Sequence, residues 1–129
     1  MSSLKSYRVT AAWFNDAEVT LEVNLDVLTP ALAAEINNFW SGAKERLQAE
    51  DDDMVRTVVR MFGGAAIRHF MDDGGASFGP CPWGDRQMTT EVLKAQVEGW
   101  PDIDGLGILI SAAEVSAVEY HDVTLEVAP

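Results

Sequence analysis

The chain has 129 residues, a hydrophobic fraction of 47%, and 21 acidic against nine basic residues, which gives a net charge of −12. These values favour one globular domain that buries roughly two-thirds of its unfolded surface, and they argue against a disordered chain. No apolar run approaches the ~20 residues that cross a bilayer, and the first ten residues do not have the pattern of a signal peptide. With one cysteine in addition, we expect a cytoplasmic protein that has no membrane partner.

The negative charge indicates which partners the surface attracts. Nucleic-acid phosphates repel such a surface, because affinity for DNA or RNA comes largely from Lys and Arg side chains. We therefore expect a basic protein partner and no direct nucleic-acid binding. A surface that is acidic only for solubility is the alternative that the charge leaves open.

The chain begins with two segments of alternating residues that predict a β-hairpin. The first segment covers residues 6–14, and the second runs from Val19 to Leu25 with a fully apolar and a fully polar face. Asn15-Asp16 supplies the turn between them. The apolar face of the second segment predicts that one side of the sheet is buried.

Residues 28–50 predict a helix around which the domain is organised. Thr29 suits the N-cap position, and Pro30 suits the first helical position. Apolar residues recur along this helix at steps of three and four, so we expect one stripe that packs on the hairpin. The stripe consists of Leu32, Ile36, Phe39, Ala43 and Leu47.

A second helix is predicted from Met54 to Met71. It follows a run of four acids, Glu50 to Asp53, and carboxylates are favoured at a helix N-terminus. Gly63-Gly64 lies inside this helix, where each glycine costs ~1 kcal/mol relative to alanine. The pair therefore predicts either a kink or the close approach of another element.

Residues 74–86 are rich in glycine and proline and predict a loop without regular structure. A loop of this length in a small domain is either functional or mobile. Phe78 and Trp83 indicate that it packs on the rest of the domain.

The remaining segments complete an α+β domain. Residues 89–98 predict a short helix, and strands are predicted at 106–112 and from Asp122 to Val127. The sequence Val-Thr-Leu-Glu-Val of residues 19–23 recurs at 123–127, which favours two edge strands with the same pattern over an internal duplication. The prediction is one domain with an antiparallel sheet of about four strands, in the order β-β-α-α-β-β, and two main helices packed on one face.

The sequence contains no catalytic or metal-binding motif with a recognisable spacing. Its two histidines and one cysteine are isolated from one another, unlike the ligands of a zinc site, so we predict neither a metal nor a cofactor. Cys81 lies between two prolines, and a nucleophilic cysteine would need His69 or His121 as its base. A small enzyme that uses this loop is therefore one hypothesis.

The acidic residues carry the functional interpretation that we favour. Alternate side chains of a strand lie roughly 6.6–6.8 Å apart, close to the spacing of phosphates along a nucleic-acid strand. Carboxylates on the outer face of the sheet could therefore occupy a basic groove that normally binds nucleic acid, whereas the alternative is a solvated face that binds nothing. The candidate protein-binding residues are Asp16, Glu18, Glu22, Asp51, Asp52, Asp53, Asp122 and Glu126.

Two segments of the chain carry a resemblance to a known family. They are EINNFWSG at residues 35–42 and EGWPDIDG at residues 98–105, the latter followed by an apolar run at 107–110. Together with the VTLEV strand at 19–23, they resemble a family of small acidic proteins from bacteria and their mobile elements that is known as a domain of unknown function. The resemblance implies an accessory protein of phages or plasmids, and it transfers no catalytic residue.

These observations lead to three hypotheses about function. The first is a non-enzymatic protein of a phage or mobile element that docks on a basic host protein, for example as a DNA mimic that inhibits a CRISPR complex. The second is an assembly module that forms a homodimer through a strand edge or the loop with Trp83. The third is the small enzyme that uses Cys81.

Overall fold

The computed structural model describes residues 4–11, 17–82, 84–96, 98–117 and 123–128. Its elements are β1 (Leu4–Thr10), β2 (Ala17–Asn24), α1 (Pro30–Phe39), α2 (Ala43–Ala49), α3 (Met54–Asp72), β3 (Gly75–Phe78), α4 (Arg86–Ala95), α5 (Ile103–Leu106) and β4 (Ile108–Ser116). The predicted α+β class with a four-stranded antiparallel sheet is confirmed. No helix in the described part of the chain is long and apolar enough to cross a membrane.

The strands are arranged in the order β1-β2-β4-β3. The predicted hairpin is confirmed, and it places Val19 opposite Val9 and Leu21 opposite Tyr7. Its predicted turn at Asn15-Asp16 lies outside the described residues. Because β4 pairs with the other side of β2, β2 is a central strand and not the edge strand that the repeated sequence predicted.

The helix that organises the domain is α3, not the predicted helix at residues 28–50. Helix α3 contacts all four strands, whereas α1 packs on α3. Helix α3 has nine buried residues, whereas α1 has three. The physical reason is that α3 is apolar over a wider arc, so it fills the space between the sheet and the remaining helices.

The predicted helix at residues 28–50 is interrupted, which is a correction to the sequence analysis. Helix α1 ends at Phe39, and the chain turns through Gly42, which has a φ angle of 84°. The guanidinium of Arg46 stabilises this turn by donating hydrogen bonds to the carbonyl oxygens of Asn37, Trp40 and Ser41, at 2.9, 3.2 and 2.7 Å. These carbonyl groups lie at the end of α1, where a helix leaves its last acceptors unpaired.

The same turn changes which side chains of α1 are buried. Asn37 is only 1% exposed, because its amide donates to the Ala43 carbonyl oxygen at 3.0 Å and its Oδ1 accepts from Nε of Arg46 at 2.8 Å. Phe39, which we predicted in the apolar stripe, is 51% exposed. A polar residue outside the predicted apolar stripe therefore lies in the core, and an apolar residue of the stripe lies at the surface.

The two glycines of α3 have different environments. A Cβ atom on Gly63 would overlap the side chain of Val9, because it would lie 2.6 Å from Cβ of Val9. Gly63 therefore permits the close approach of another element, one of the two explanations that the sequence offered. A Cβ atom on Gly64 would meet only Nη1 of Arg68, at 3.5 Å.

The glycine- and proline-rich segment contains a strand, so the prediction of a loop without regular structure over residues 74–86 is wrong. Its first part forms β3, which pairs with β4. Beyond β3, the amide of Cys81 donates to the Ser111 carbonyl oxygen at 2.8 Å, and the amide of Asp85 donates to that of Ile110 at 2.6 Å. The segment thus completes the hydrogen bonding of β4, because β3 alone does not cover this strand.

The last third of the chain departs from the prediction at one strand. The predicted short helix and the first predicted strand correspond to α4 and β4, and α5 was not predicted. Residues 123–128 have no regular structure, so the predicted strand from Asp122 to Val127 is absent there, and Asp122 itself is not described. The segment pairs with none of the four described strands, and β4, the strand that precedes it, already pairs with β2 and β3.

Candidate functional site

Among the described residues, the face of the sheet opposite α3 carries three carboxylates. Val19, Leu21 and Val23 of β2 are fully buried beneath α3, so the alternating residues of β2 point to the other face. Glu18 and Glu22 belong to that set, and Glu114 of β4 lies directly opposite Glu18. We call Glu18, Glu22 and Glu114 the outer acidic face.

Two of these carboxylates are held in place by neighbouring side chains. Nε of Arg8 lies 3.4 Å from Oε2 of Glu18, and Oγ of Ser77 donates to Oε1 of Glu114 at 2.6 Å. The side chain of Glu18 remains 43% exposed. Like charges directly opposite each other on adjacent strands are destabilising. The pair of glutamates is therefore oriented and accessible at some expense of stability.

The spacing of carboxylates on this face differs from the regular spacing of roughly 6.6–6.8 Å that the sequence suggested. Thr20 separates Glu18 from Glu22, so these two carboxylates are about 13 Å apart along the strand. Glu18 and Glu114 are much closer, since side chains directly opposite on antiparallel strands have Cβ atoms about 5 Å apart. The face therefore carries one close pair of carboxylates, Glu18 and Glu114, and one more distant carboxylate, Glu22.

The other acidic candidates do not join this face. Asp53 is the N-cap of α3, and its carboxylate accepts from the amide of Arg56 at 3.0 Å. Asp51 and Asp52 lie exposed in the preceding turn with φ angles of 55° and 65°. Glu126 is exposed in the segment at 123–128, and the candidates Asp16 and Asp122 lie outside the described residues.

Glu114 is a residue that the sequence analysis missed. We ended the predicted strand at residue 112, whereas β4 continues to Ser116. Polar Glu114 and Ser116 alternate there with buried Ala113 and Val115, a period-two pattern that could have extended the strand.

Two of the three loop candidates, Phe78 and Cys81, lie within the described residues. Phe78 packs edge to face on Phe70, with ring centroids 6.0 Å apart. Cys81 is partly buried and, in the part of the chain that is described, shares no hydrogen bond with His69. The other loop candidate, Trp83, and the second possible base, His121, fall among the residues that the structure leaves undescribed. Within the described ranges, no three His, Cys, Asp or Glu side chains form a group that could hold a metal ion.

A cleft of about 660 Å³ lies along α3, between α2 and the segment that precedes α5. Trp40 and Trp100 line the cleft with ring centroids 5.5 Å apart, and Trp100 also packs edge to face on Phe62. Arg60 and Arg68 border the cleft on either side of Gly64. A side chain on Gly99 would overlap Trp40, so the segments at 35–42 and 98–105 pack directly against each other.

This contact unites the two segments that carry the family resemblance, and comparison with known proteins identifies the family. A model described as "Protein of unknown function (DUF2528)" matches residues 18–125. The chain belongs to this family. The predicted resemblance to a domain of unknown function is thereby confirmed.

Known relatives of this DUF2528 chain come from a phage and a prophage. Protein ea10 of Escherichia phage lambda is 28% identical to it over 132 residues, which cover 99% of this chain and 100% of the relative. The lambda prophage-derived protein ea10 of Escherichia coli O6:H1, strain CFT073, has the same identity and coverage. No solved structure matches the chain significantly. The chain therefore belongs to a family described as of unknown function and is similar to a phage and a prophage protein.

Proposed function

We propose that this DUF2528 protein is a non-enzymatic binding protein that docks its outer acidic face on a basic protein surface. The observation that carries the proposal is the direct opposition of Glu18 and Glu114 on neighbouring strands. A pair of like charges in this position lowers the stability of the sheet. A binding surface gives a reason for keeping it.

The neighbours of the two glutamates prepare them for binding. Arg8 on β1 and Ser77 on β3 restrict the two side chains from the strands on either side, so less conformational entropy is lost when a cationic partner engages the carboxylates. The net charge of −12 would attract a basic protein over a distance of about one Debye length and raise the association rate.

A basic host protein that handles nucleic acid, such as a component of a CRISPR complex, is the partner class that we favour. Such a protein presents Lys and Arg side chains that normally neutralise phosphates, and carboxylates can compete for them. The relatives from phage lambda and a prophage support a partner in the bacterial host. The proposal rests on charge and orientation, and it does not require the carboxylates to reproduce the spacing of phosphates.

The proposal is tested by capturing partners on the immobilised protein from an Escherichia coli lysate and then measuring the binding of each purified candidate. We expect a basic, nucleic-acid-binding protein whose affinity falls at least about tenfold when salt is raised from about 0.1 to 0.5 M, because screening weakens contacts between exposed charges. DNA fragments should compete with the protein for this partner. A partner that binds equally well at both salt concentrations, or at a site that DNA leaves open, would refute the proposal.

A further inference from the structure

The sheet has one long edge that no described strand covers. Among the described strands, β1 has seven residues and pairs with β2 alone, whereas β3, at the other edge, has four. β1 contains no proline, and its pairing with β2 has no bulge, the two backbone features that commonly block the addition of another strand. Its outward-directed N–H and C=O groups are therefore available as a template.

A groove lies beside this edge. It has a volume of about 260 Å³ and runs between β1 and α3, with Tyr7, Val9, Val59 and Arg60 among its lining residues. Tyr7 and Val9 pack against the core but are only partly buried, because β1 is the last strand on this side. Side chains of an added strand that pointed toward α3 would cover them.

The segment at residues 123–127 has the properties of a strand without a partner. Its apolar residues alternate with polar ones, and Leu125 and Val127 are 97% and 95% exposed. None of its residues has a hydrogen bond or ion pair with another residue in the described ranges. Exposing these side chains to water is unfavourable, so covering the segment lowers the free energy of the protein.

β1 already accepts the same five residues on its other side. The sequence Val-Thr-Leu-Glu-Val at 19–23 belongs to β2, where Val19, Leu21 and Val23 lie opposite Val9, Tyr7 and Lys5. In that register the apolar side chains face α3, and Thr20 and Glu22 face outward beside Arg8 and Ser6. The identical segment at 123–127 can therefore lie on the open side of β1 with its apolar side chains above the groove.

We propose that the segment Val123–Val127 of one copy of the chain adds as an antiparallel strand to the open edge of β1 in a second copy. The occupant is a second copy because the segment of the same chain lies uncovered, and every copy carries both an open edge and a free segment. Two copies can satisfy each other in a twofold exchange, which closes the assembly. Strand addition of this kind obtains affinity from main-chain hydrogen bonds and specificity from alternate side chains.

Disulfide trapping between two different single-cysteine proteins tests this proposal. Both proteins carry Cys81→Ser, and one also carries Ser6→Cys while the other carries Glu126→Cys. In the register of β2, Ser6 and Glu126 lie opposite each other on the outward face, with Cβ atoms about 5 Å apart. We expect a covalent heterodimer after mild oxidation, and it can form only between two chains.

The matched control replaces Ser6→Cys by Lys5→Cys, because the adjacent residue points to the other face of the sheet. We expect at least about tenfold less heterodimer with the control, and a similar loss when Leu125→Asp is added to the protein with Glu126→Cys. Equal trapping with Ser6→Cys and Lys5→Cys, or the absence of trapping, would overturn the proposal. Because Leu125 is exposed in the single chain, its substitution leaves the folded monomer intact.

Light scattering of the unmodified protein provides the second measurement. At about 0.1 mM we expect a dimer, and Leu125→Asp should shift it toward monomer. A strict monomer at this concentration would overturn the proposal, including the case in which the segment folds onto its own β1. This inference does not depend on the outer acidic face, since neutralising Glu18, Glu22 and Glu114 should leave the trapped heterodimer unchanged.

Discussion

Replacing the adjacent glycines of α3 one at a time by alanine should change the stability of the domain in opposite directions. In Gly63→Ala, the new Cβ would lie 2.6 Å from Cβ and 2.8 Å from Cγ1 of Val9. Carbon atoms in favourable contact are about 3.5–4.0 Å apart, so α3 and β1 must separate by about 1 Å. In Gly64→Ala, the new Cβ meets only the flexible end of Arg68, at 3.5 Å.

The two free-energy changes can be estimated from these contacts. Overpacking of this kind costs about 1–3 kcal/mol, of which the better helix propensity of alanine returns about 1 kcal/mol. We therefore expect Gly63→Ala to lower the free energy of unfolding by up to about 2 kcal/mol. Gly64→Ala gains the helix propensity without the overlap, so it should raise the free energy of unfolding by about 0.5–1 kcal/mol.

Urea denaturation followed by tryptophan fluorescence measures both effects. The midpoint should be highest for Gly64→Ala, intermediate for the unmodified protein and lowest for Gly63→Ala, with unchanged slopes. Adding Val9→Ala to Gly63→Ala removes two of the three overlapping carbon atoms, so the combined loss should be smaller than the sum of the single losses. If both glycine substitutions stabilised the protein equally, β1 would not pack on α3 at Gly63, and the reasoning would be refuted.

Two further substitutions test buried hydrogen bonds, each against its neighbour in the sequence. Thr89→Val removes the hydroxyl that accepts from the buried amide of Ile110 at 2.9 Å, so it should lower the free energy of unfolding by about 1–3 kcal/mol. Thr90→Val should lower it by less than about 1 kcal/mol. Equal losses of stability in thermal unfolding would contradict this prediction. Asn37→Ala leaves the turn between α1 and α2 without its buried amide and should lower the free energy of unfolding by about 2–3 kcal/mol. Asn38→Ala, at an exposed position, should change it by no more than about 0.5 kcal/mol. If Asn37→Ala had an equally small effect in urea denaturation, the turn would not need this side chain.

The VTLEV repeat shows how far local sequence determines this fold. Both copies have the alternation of a strand, and the sequence predicted both as strands. The copy at 19–23 forms β2 because β1 and β4 pair with it on both sides. The copy at 123–127 has no such partner and no regular structure. Alternation predicts which face of a strand is buried, but pairing depends on the rest of the fold.

The sequence pattern did not predict the interruption between α1 and α2, for a related reason. The apolar period continues from residue 32 to residue 47, and the cost of stopping a helix is low when a side chain satisfies its last carbonyl groups. Arg46 does so from the following helix, and Asn37 is buried as a result. Neither role follows from the apolar period of the sequence, since both come from contacts across the turn.

The candidate site was predicted in part. Glu18 and Glu22 lie on the face that the alternation of β2 assigned to them. The opposition of Glu18 and Glu114 could not be predicted, because the register of β2 and β4 shifts at Thr20/Leu21. A one-residue shift moves every side chain of a strand to the other face, so only the structure shows which residues of β2 and β4 lie opposite each other.

The central claim is that the outer acidic face, and not net charge alone, binds a basic partner. It is tested most directly by two variants that each lose three negative charges, which raises the net charge from −12 to −9. The first carries Glu18→Gln, Glu22→Gln and Glu114→Gln. The second carries Glu35→Gln, Asp72→Asn and Glu91→Gln, which are exposed on helices and have no ion pair within the described ranges.

The affinity of both variants for a captured basic partner is measured at one salt concentration. The account predicts that the first variant binds at least about tenfold more weakly than the second, while both stay folded and unfold in urea in a single cooperative transition. Equal affinities would contradict the account, because they would show that the partner responds to total charge and not to this face.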